Sequence, residues 1–378
     1  MSCSDHTKNN CCIGGVSLVA TDSIPLYNDS LAFQFFDIPR IEKGLVLGFN
    51  YPLLDLSVIK TGEPIAEISQ AGDSPSEFKG FIESTIIEDG TVLVLQQDNH
   101  SKITVFDKNY RFQGNINLTD EIKGYFPAPF ESHFQARHIS ENQYKVYFSL
   151  NSTNFTRYDA EYYRGYSIME MDIDVQSLKI IDKKFILPFD SFVEIKTALD
   201  KNRKTWKTPT PYFKVLNDTI AVYYDFLQQI LLYDSQWNLL QTNQINFRYP
   251  EFEQYTPFSF DYDTENRITK EEQLKYSNYN VCSIDFDGNL IYLVYFKPIE
   301  SDNLPETFNE ITRIYEPDKI LHILDLNTGS EYSAKIPKHL FPYRINAVSK
   351  DSVYFVGDSK IREDLHGYRY KLKVNEDA

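Results

Sequence analysis

The sequence predicts an all-β fold, a six-bladed β-propeller of four-stranded antiparallel blades closed by an N-terminal strand. Three observations predict it. The composition favours strands: 27 Tyr and 27 Phe give an aromatic content of 15%, and Tyr, Phe, Ile, Val and Thr suit a pleated surface. A phrase recurs along the chain, an apolar strand ending in Asp, two or three turn residues, then another strand. No long amphipathic helical pattern competes with it.

The units follow in chain order. Lys43–Ile68, "KGLVLGFNYPLLDLSVIKTGEPIAEI", is the first, and Ile87–Leu118 is the clearest. In the latter, the hairpin dipeptide Asp89-Gly90 introduces a β-rich run at Thr91–Gln96. Asp98-Asn99 turns the chain, Lys102–Asp107 alternates Ile103 and Val105 against Thr104, and Phe112–Leu118 is a third strand. Short antiparallel strands with tight turns make a meander. Asn142–Leu150 with Tyr166–Phe185 repeats it, as does Asn217–Phe247, where "ILLYDSQWNLL" parallels "ITVFDKNYRFQ". Asp285–Pro298 with Lys319–Ile336, and finally Asp351–Val374, make six units.

Six units over 378 residues are about 60 residues each, whereas four-stranded propeller blades repeat about every 40–50. The excess falls in insertions such as Asn151–Arg164, Leu199–Pro211 and Ile299–Glu316. Short helices are expected within Thr269–Tyr276 and near Pro305–Thr312. Free sheet edges are a liability, so a strand from Gly15–Leu26 is expected to pair with the last unit and bury Val16, Leu18 and Ile24. Residues 1–14 then form a flexible tether, and 15–378 a single propeller domain.

Between the first two units stands Gln70–Phe81, "QAGDSPSEFKGF", a turn-rich dozen flanked by strands. Its "GDSPSEF" resembles the Gly-x-Gly-Pro-Gly-Glu-Phe turn of bacterial six-bladed β-propellers of the NHL/TolB-like type, which include lipoproteins of unassigned function. Ser74 and Ser76 stand where that pattern prefers Gly. The resemblance covers nearly the whole chain as architecture and is strongest over Gln70–Leu118. It implies an inter-blade connection in which Gly72 and Pro75 shape the backbone while Phe78 and Phe81 dock between blades.

The formal net charge of −16 argues against a nucleic-acid partner, which needs clustered Lys and Arg. No run of about 18 apolar residues offers a membrane span. Of four cysteines, Cys3, Cys11 and Cys12 crowd the N-terminus and Cys282 stands far away, which is no disulfide framework. Cys3, His6, Cys11 and Cys12 match no familiar zinc spacing. The start "MSCSDHTKNN" resembles a mature bacterial lipoprotein with an added Met. That resemblance implies a lipid on Cys3 and a cell-envelope location, at the periplasmic or outer-membrane face; an ordinary polar N-terminus reads the same way.

Little in the sequence carries chemistry. Asp285–Asn289, "DFDGN", has calcium-loop composition, but its twelfth position is Phe296, so a hairpin turn into Leu290–Tyr295 is expected. His133 and His138 are spaced by five and fall on opposite faces of a strand; Arg137 and His138 are candidates to line the central channel. No nucleophile elbow, Walker loop, Gly-x-Gly-x-x-Gly or His-Glu-x-x-His motif appears. The tyrosine-rich loops Phe155–Tyr166, Trp206–Phe213 and Phe247–Tyr262 mix rings with charges. They single out Tyr158, Tyr162, Tyr163, Trp206, Tyr212, Tyr249 and Tyr255 as candidate ligand contacts, since rings with polar tips suit peptide or glycan recognition. Packing between blades accounts for such rings equally.

The reading is therefore a non-catalytic envelope propeller that binds a peptide, protein or glycan through one face, with no cofactor and with membrane contact only through an N-terminal lipid. The alternative is a metal-dependent hydrolase or lactonase of the six-bladed kind. That enzyme needs Glu, Asn and Asp converging on a channel ion; Asp285, Asn280 and Glu310 are available, though their spacing does not select them.

Overall fold

The computed structural model describes residues 16–25, 40–42, 45–50, 55–60, 63–69, 72–79, 81–97, 101–128, 134–155, 159–197, 204–205, 210–216, 218–224, 227, 229–245, 258–259, 281–287, 289–296, 319–337, 340–349, 352–358 and 365–374. β1 (Val16–Pro25) comes first. β2 (Arg40–Glu42), β3 (Leu45–Asn50), β4 (Asp55–Lys60) and β5 (Glu63–Ser69) form a sheet in that order. So do β6 (Phe81–Ile86), β7 (Val92–Gln97), β8 (Lys102–Phe106) and β9 (Phe112–Asn117). β10 (Tyr125–Pro127) and β11 (Gln135–Ser140) both pair with β12 (Gln143–Ser152), which continues to β13 (Tyr166–Asp174) and β14 (Lys179–Pro188).

A one-turn helix, α1 (Val193–Thr197), and β15 (Lys204–Thr205) precede the sheet of β16 (Tyr212–Leu216), β17 (Thr219–Tyr224), β18 (Gln229–Asp234) and β19 (Leu239–Gln244). β20 (Phe258–Ser259) pairs with β15. β21 (Val281–Asp287), β22 (Leu290–Phe296), β23 (Lys319–Asp325) and β24 (Glu331–Ile336) form the next sheet. β25 (Leu340–Ser349), β26 (Ser352–Asp358) and β27 (Leu365–Val374) form the last, and β1 pairs antiparallel with β27 from Val16↔Val374 to Pro25↔His366. The fold is all-β, with antiparallel sheets in a β-propeller arrangement.

Middle strands such as β8, β17 and β23 are largely apolar on both faces, and successive sheets bury these faces against each other. Ile68 of β5 packs with Phe78, Ile86, Val92, Val94 and Phe106. Leu93, Leu95 and Ile103 pack on Val146, Phe148, Met169 and Met171 of the following sheet. The pattern continues with Tyr147 and Ile168 on Val222 and Tyr224, Ala221 and Tyr223 on Leu293 and Tyr295, and Tyr292 and Leu321 on Val353 and Phe355. The first strands also approach one another, β6 to β11, β16 to β21, β21 to β25 and β25 to β2, so they are innermost.

The recurring Asp is a turn-former. In the turn after β8, the Asp107 Oδ1 accepts N–H bonds from Asn109 (2.8 Å) and Arg111 (3.0 Å). After β18, the Asp234 Oδ1 does the same for Gln236 (2.8 Å) and Asn238 (2.9 Å). Asp174 and Asp325 accept from Ser177 (2.6 Å) and Asn327 (2.9 Å). Such local side-chain bonds stand in for the backbone ladder at a reversal. Both turns after β8 and β18 hold an aromatic residue at φ 63°, Tyr110 and Trp237. That conformation costs a residue other than Gly about 1–2 kcal/mol, offset by docking the ring on the preceding sheet: Tyr110 joins the Ile68–Phe78 cluster and Trp237 lies 6.5 Å from Tyr147.

Gln70–Phe81 is explained by the same kind of bonding. The Ser74 N–H donates to Glu77 Oε2 (2.8 Å) and the Glu77 N–H to the Ser74 carbonyl (3.0 Å). The carboxylate thereby lies over Gly72, where a Cβ would overlap it. Lys102 Nζ donates to the carbonyls of Pro75 and Glu77, both at 3.1 Å, and Asn115 Nδ2 to that of Pro75 at 2.8 Å. Phe78 is fully buried between the first two sheets; the Phe81 side chain lies outside the described residues. The hairpin expected at Asp285–Asn289 is present, with Asp287 opposite Leu290. The expected helices at Thr269–Tyr276 and Pro305–Thr312 lie outside the described residues.

Candidate functional site

Strand alternation separates the connections into two ends. First-to-second and third-to-fourth strand turns are short: Asp89-Gly90 between β6 and β7, Glu141-Asn142 between β11 and β12, and the Asp turns. Second-to-third strand and sheet-to-sheet connections leave the opposite end, and these include the long ones, 153–165 and 189–211. By sequence, the tyrosine-rich segments fall within connections of this second kind. β15 and β20 pair with each other, Lys204 with Ser259 and Thr205 with Phe258, so the two residues that precede Trp206 lie beside two residues of the segment Phe247–Tyr262.

The candidate rings are placed unequally. Tyr162 and Tyr163 lie in a one-turn 3-10 helix, Ala160–Arg164, and both are buried. Tyr162 stacks on Phe189 with centroids 5.5 Å apart and donates its hydroxyl to Asn151 Oδ1 at 2.7 Å; Tyr163 meets the same ring edge-on at 5.9 Å. These two rings fill the wedge between sheets and present no face to a ligand. Tyr212 opens β16, half-buried against the Tyr223 ring at 6.4 Å. Tyr158, Trp206, Tyr249 and Tyr255 lie outside the described residues, as do Cys3, His133, Asn280 and Glu310.

Arg137 and His138 sit on the innermost strand β11, near the short-turn end. Arg137 is half-buried and opposite Lys145 in register, beside the buried Tyr147 hydroxyl. Lys145 Nζ bridges two carboxylates of β13, Glu170 at 2.9 Å and Asp172 at 2.6 Å. Burial pulls the Lys145 ammonium down, but Asp172 and Glu170 outweigh it and hold its pKa above the ordinary lysine value. Trp237 reaches from the next sheet to donate its Nε1–H to Glu170 Oε2 at 2.7 Å. Sequence reasoning missed this cluster. Its one visible signal is the alternation of Glu170 and Asp172 with Met169, Met171 and Ile173, which marks one polar face but not its burial. Trp237→Phe keeps an aromatic ring but removes the donor together with the pyrrole half of the indole. It is expected to cost about 1.5–3 kcal/mol, the range for hydrogen bonds to charged groups, read as a lower urea midpoint at unchanged slope; a shift below about 0.5 kcal/mol would show the bond to be worth nothing net.

His138 is exposed, its ring 5.2 Å from that of Tyr144. Tyr144 donates a short hydrogen bond to Asp89 Oδ2 in the β6–β7 turn, and the Thr91 N–H donates to Asp89 Oδ1 at 2.9 Å. Burial raises the Asp89 carboxyl, but the Tyr144 hydroxyl, the Thr91 N–H and hydroxyl, and nearby His138 together hold it below the usual carboxylate range. Burial and the bond to Asp89 push Tyr144 up to about 12. A lowered folded-state pKa stabilises above the unfolded value and is lost as pH falls through the folded value. Tyr144→Phe is therefore expected to melt below the unmodified protein at neutral pH, with the two curves converging below about pH 4. A gap that stays constant down to pH 3 would contradict the coupling.

Further polar bridges join neighbouring sheets. Gln135 of β11 donates to the Phe213 carbonyl at 2.6 Å and accepts from the Val215 N–H at 2.7 Å, so its amide completes the edge of β16. Lys214 of β16 pairs with the buried Asp285 of β21 at 2.7 Å. Asp285 is thus already neutralised by a cation. Among the described residues, no group of three or more His, Cys, Asp or Glu is placed to hold a metal ion.

No family model matches the sequence, and no curated protein does. Solved structures do. A member of the DUF4221 family from Bacteroides vulgatus is 13% identical with a TM-score of 0.63, over 96% of this chain and 99% of its own. A candidate exported protein from Bacteroides fragilis is 13% identical with a TM-score of 0.50, over 96% of each chain. At these identities the likeness is one of fold alone, and that fold is the propeller arrangement of antiparallel sheets described above.

Proposed function

We propose that this chain is a six-bladed, envelope-located propeller that binds a peptide, protein or glycan at its loop end and does no chemistry of its own. Five four-stranded sheets and the sheet carrying β11–β14 support six blades. The pairing of β1 with β27, together with the approach of β25 to β2, supports closure of the ring by the N-terminal strand. That the similar Bacteroides fragilis protein is a candidate exported protein supports the envelope location, and the anchor of this reading is a lipid on Cys3.

The observation that carries the binding role is the β15–β20 pair, which sets Lys204–Thr205, just before Trp206, beside Phe258–Ser259 of the aromatic-rich segment Phe247–Tyr262. Stacking on rings with polar tips suits a glycan or an extended peptide. The test is a glycan and peptide array followed by calorimetry on the best hit. The combined Trp206→Ala, Tyr249→Ala and Tyr255→Ala variant should bind it at least tenfold more weakly while melting normally. Equal binding by the variant would remove the loop end from the site. Lactone hydrolysis that depends on added calcium or zinc and disappears in Asp285→Asn would replace the binding reading by the enzymatic one. Cys3→Ala, expressed in the native host, is expected to leave the membrane fraction.

A further inference from the structure

We draw no further inference here: the strongest candidate, the surface patch of Tyr125, Tyr166 and Phe185 rings at the outer rim of the sheet of β12–β14, is an apolar face, and nothing in the structure shows what covers it.

Discussion

Deleting residues 1–26 is expected to destabilise the protein severely, whereas deleting 1–13 is expected to leave its melting curve almost unchanged. The longer deletion removes β1, whose register with β27 runs from Val16 to Pro25 with one irregularity between Ala20 and Asp22. A net backbone hydrogen bond contributes about 1 kcal/mol, so a full strand is worth several kcal/mol. Leu18 adds apolar contact with the cluster of Val353, Phe355 and Tyr370. Domain stabilities are typically about 5–15 kcal/mol, so losing β1 consumes a large part of the total and leaves β27 as a bare edge open to aggregation. Thermal melts of the two truncations, with light scattering followed in parallel, decide the matter. Matching melts would mean that β1 adds no net stability and that the ring is held by its other interfaces.

Phe78→Ala is the single substitution with the largest expected effect, about 3–5 kcal/mol. The ring is fully buried among Ile68, Ile86, Val92, Val94 and Phe106, residues drawn from two successive sheets. Its loss leaves a cavity at the junction, because neighbours set in paired strands cannot collapse into it. The loop above is held separately by Glu77, Lys102 and Asn115. Asn115→Ala, which removes the latch to Pro75 and the acceptor of the buried Thr104 hydroxyl (2.8 Å), is therefore expected to cost less, about 1–2 kcal/mol. Urea denaturation of both variants gives the contrast. A Phe78→Ala cost near that of Asn115→Ala would show that the loop, rather than the ring, joins the two sheets.

The strands and turns of the repeat were legible because they depend on neighbours in sequence. Alternation of Ile103, Thr104 and Val105 marks β8, and Asp107, Asp174, Asp234 and Asp325 mark the reversals through bonds that span two to four residues. Val16–Ala20 was readable as a strand, though the structure extends it to Pro25. The innermost strands were poorly legible. β11, "QARHIS", and β16, "YFKVL", mix polar and apolar residues without clean alternation, because their polar side chains bond to the next sheet, as Gln135 and Lys214 do.

The site was legible only as a composition of rings. Tyr158, Tyr162 and Tyr163 read alike in sequence, since nothing local distinguishes a ring facing solvent from one facing a neighbouring sheet. The tertiary structure decided that Tyr162 and Tyr163 pack under Phe189, that Glu170 and Asp172 share Lys145 beneath Trp237, and that Lys204–Thr205 pairs with Phe258–Ser259. By itself the sequence determined that the chain makes short antiparallel strands with Asp-closed turns, because those depend on residues a few positions apart. Only the tertiary structure decided which faces are buried and which loops meet, because burial depends on what another sheet, 50 or more residues away, brings against each side chain.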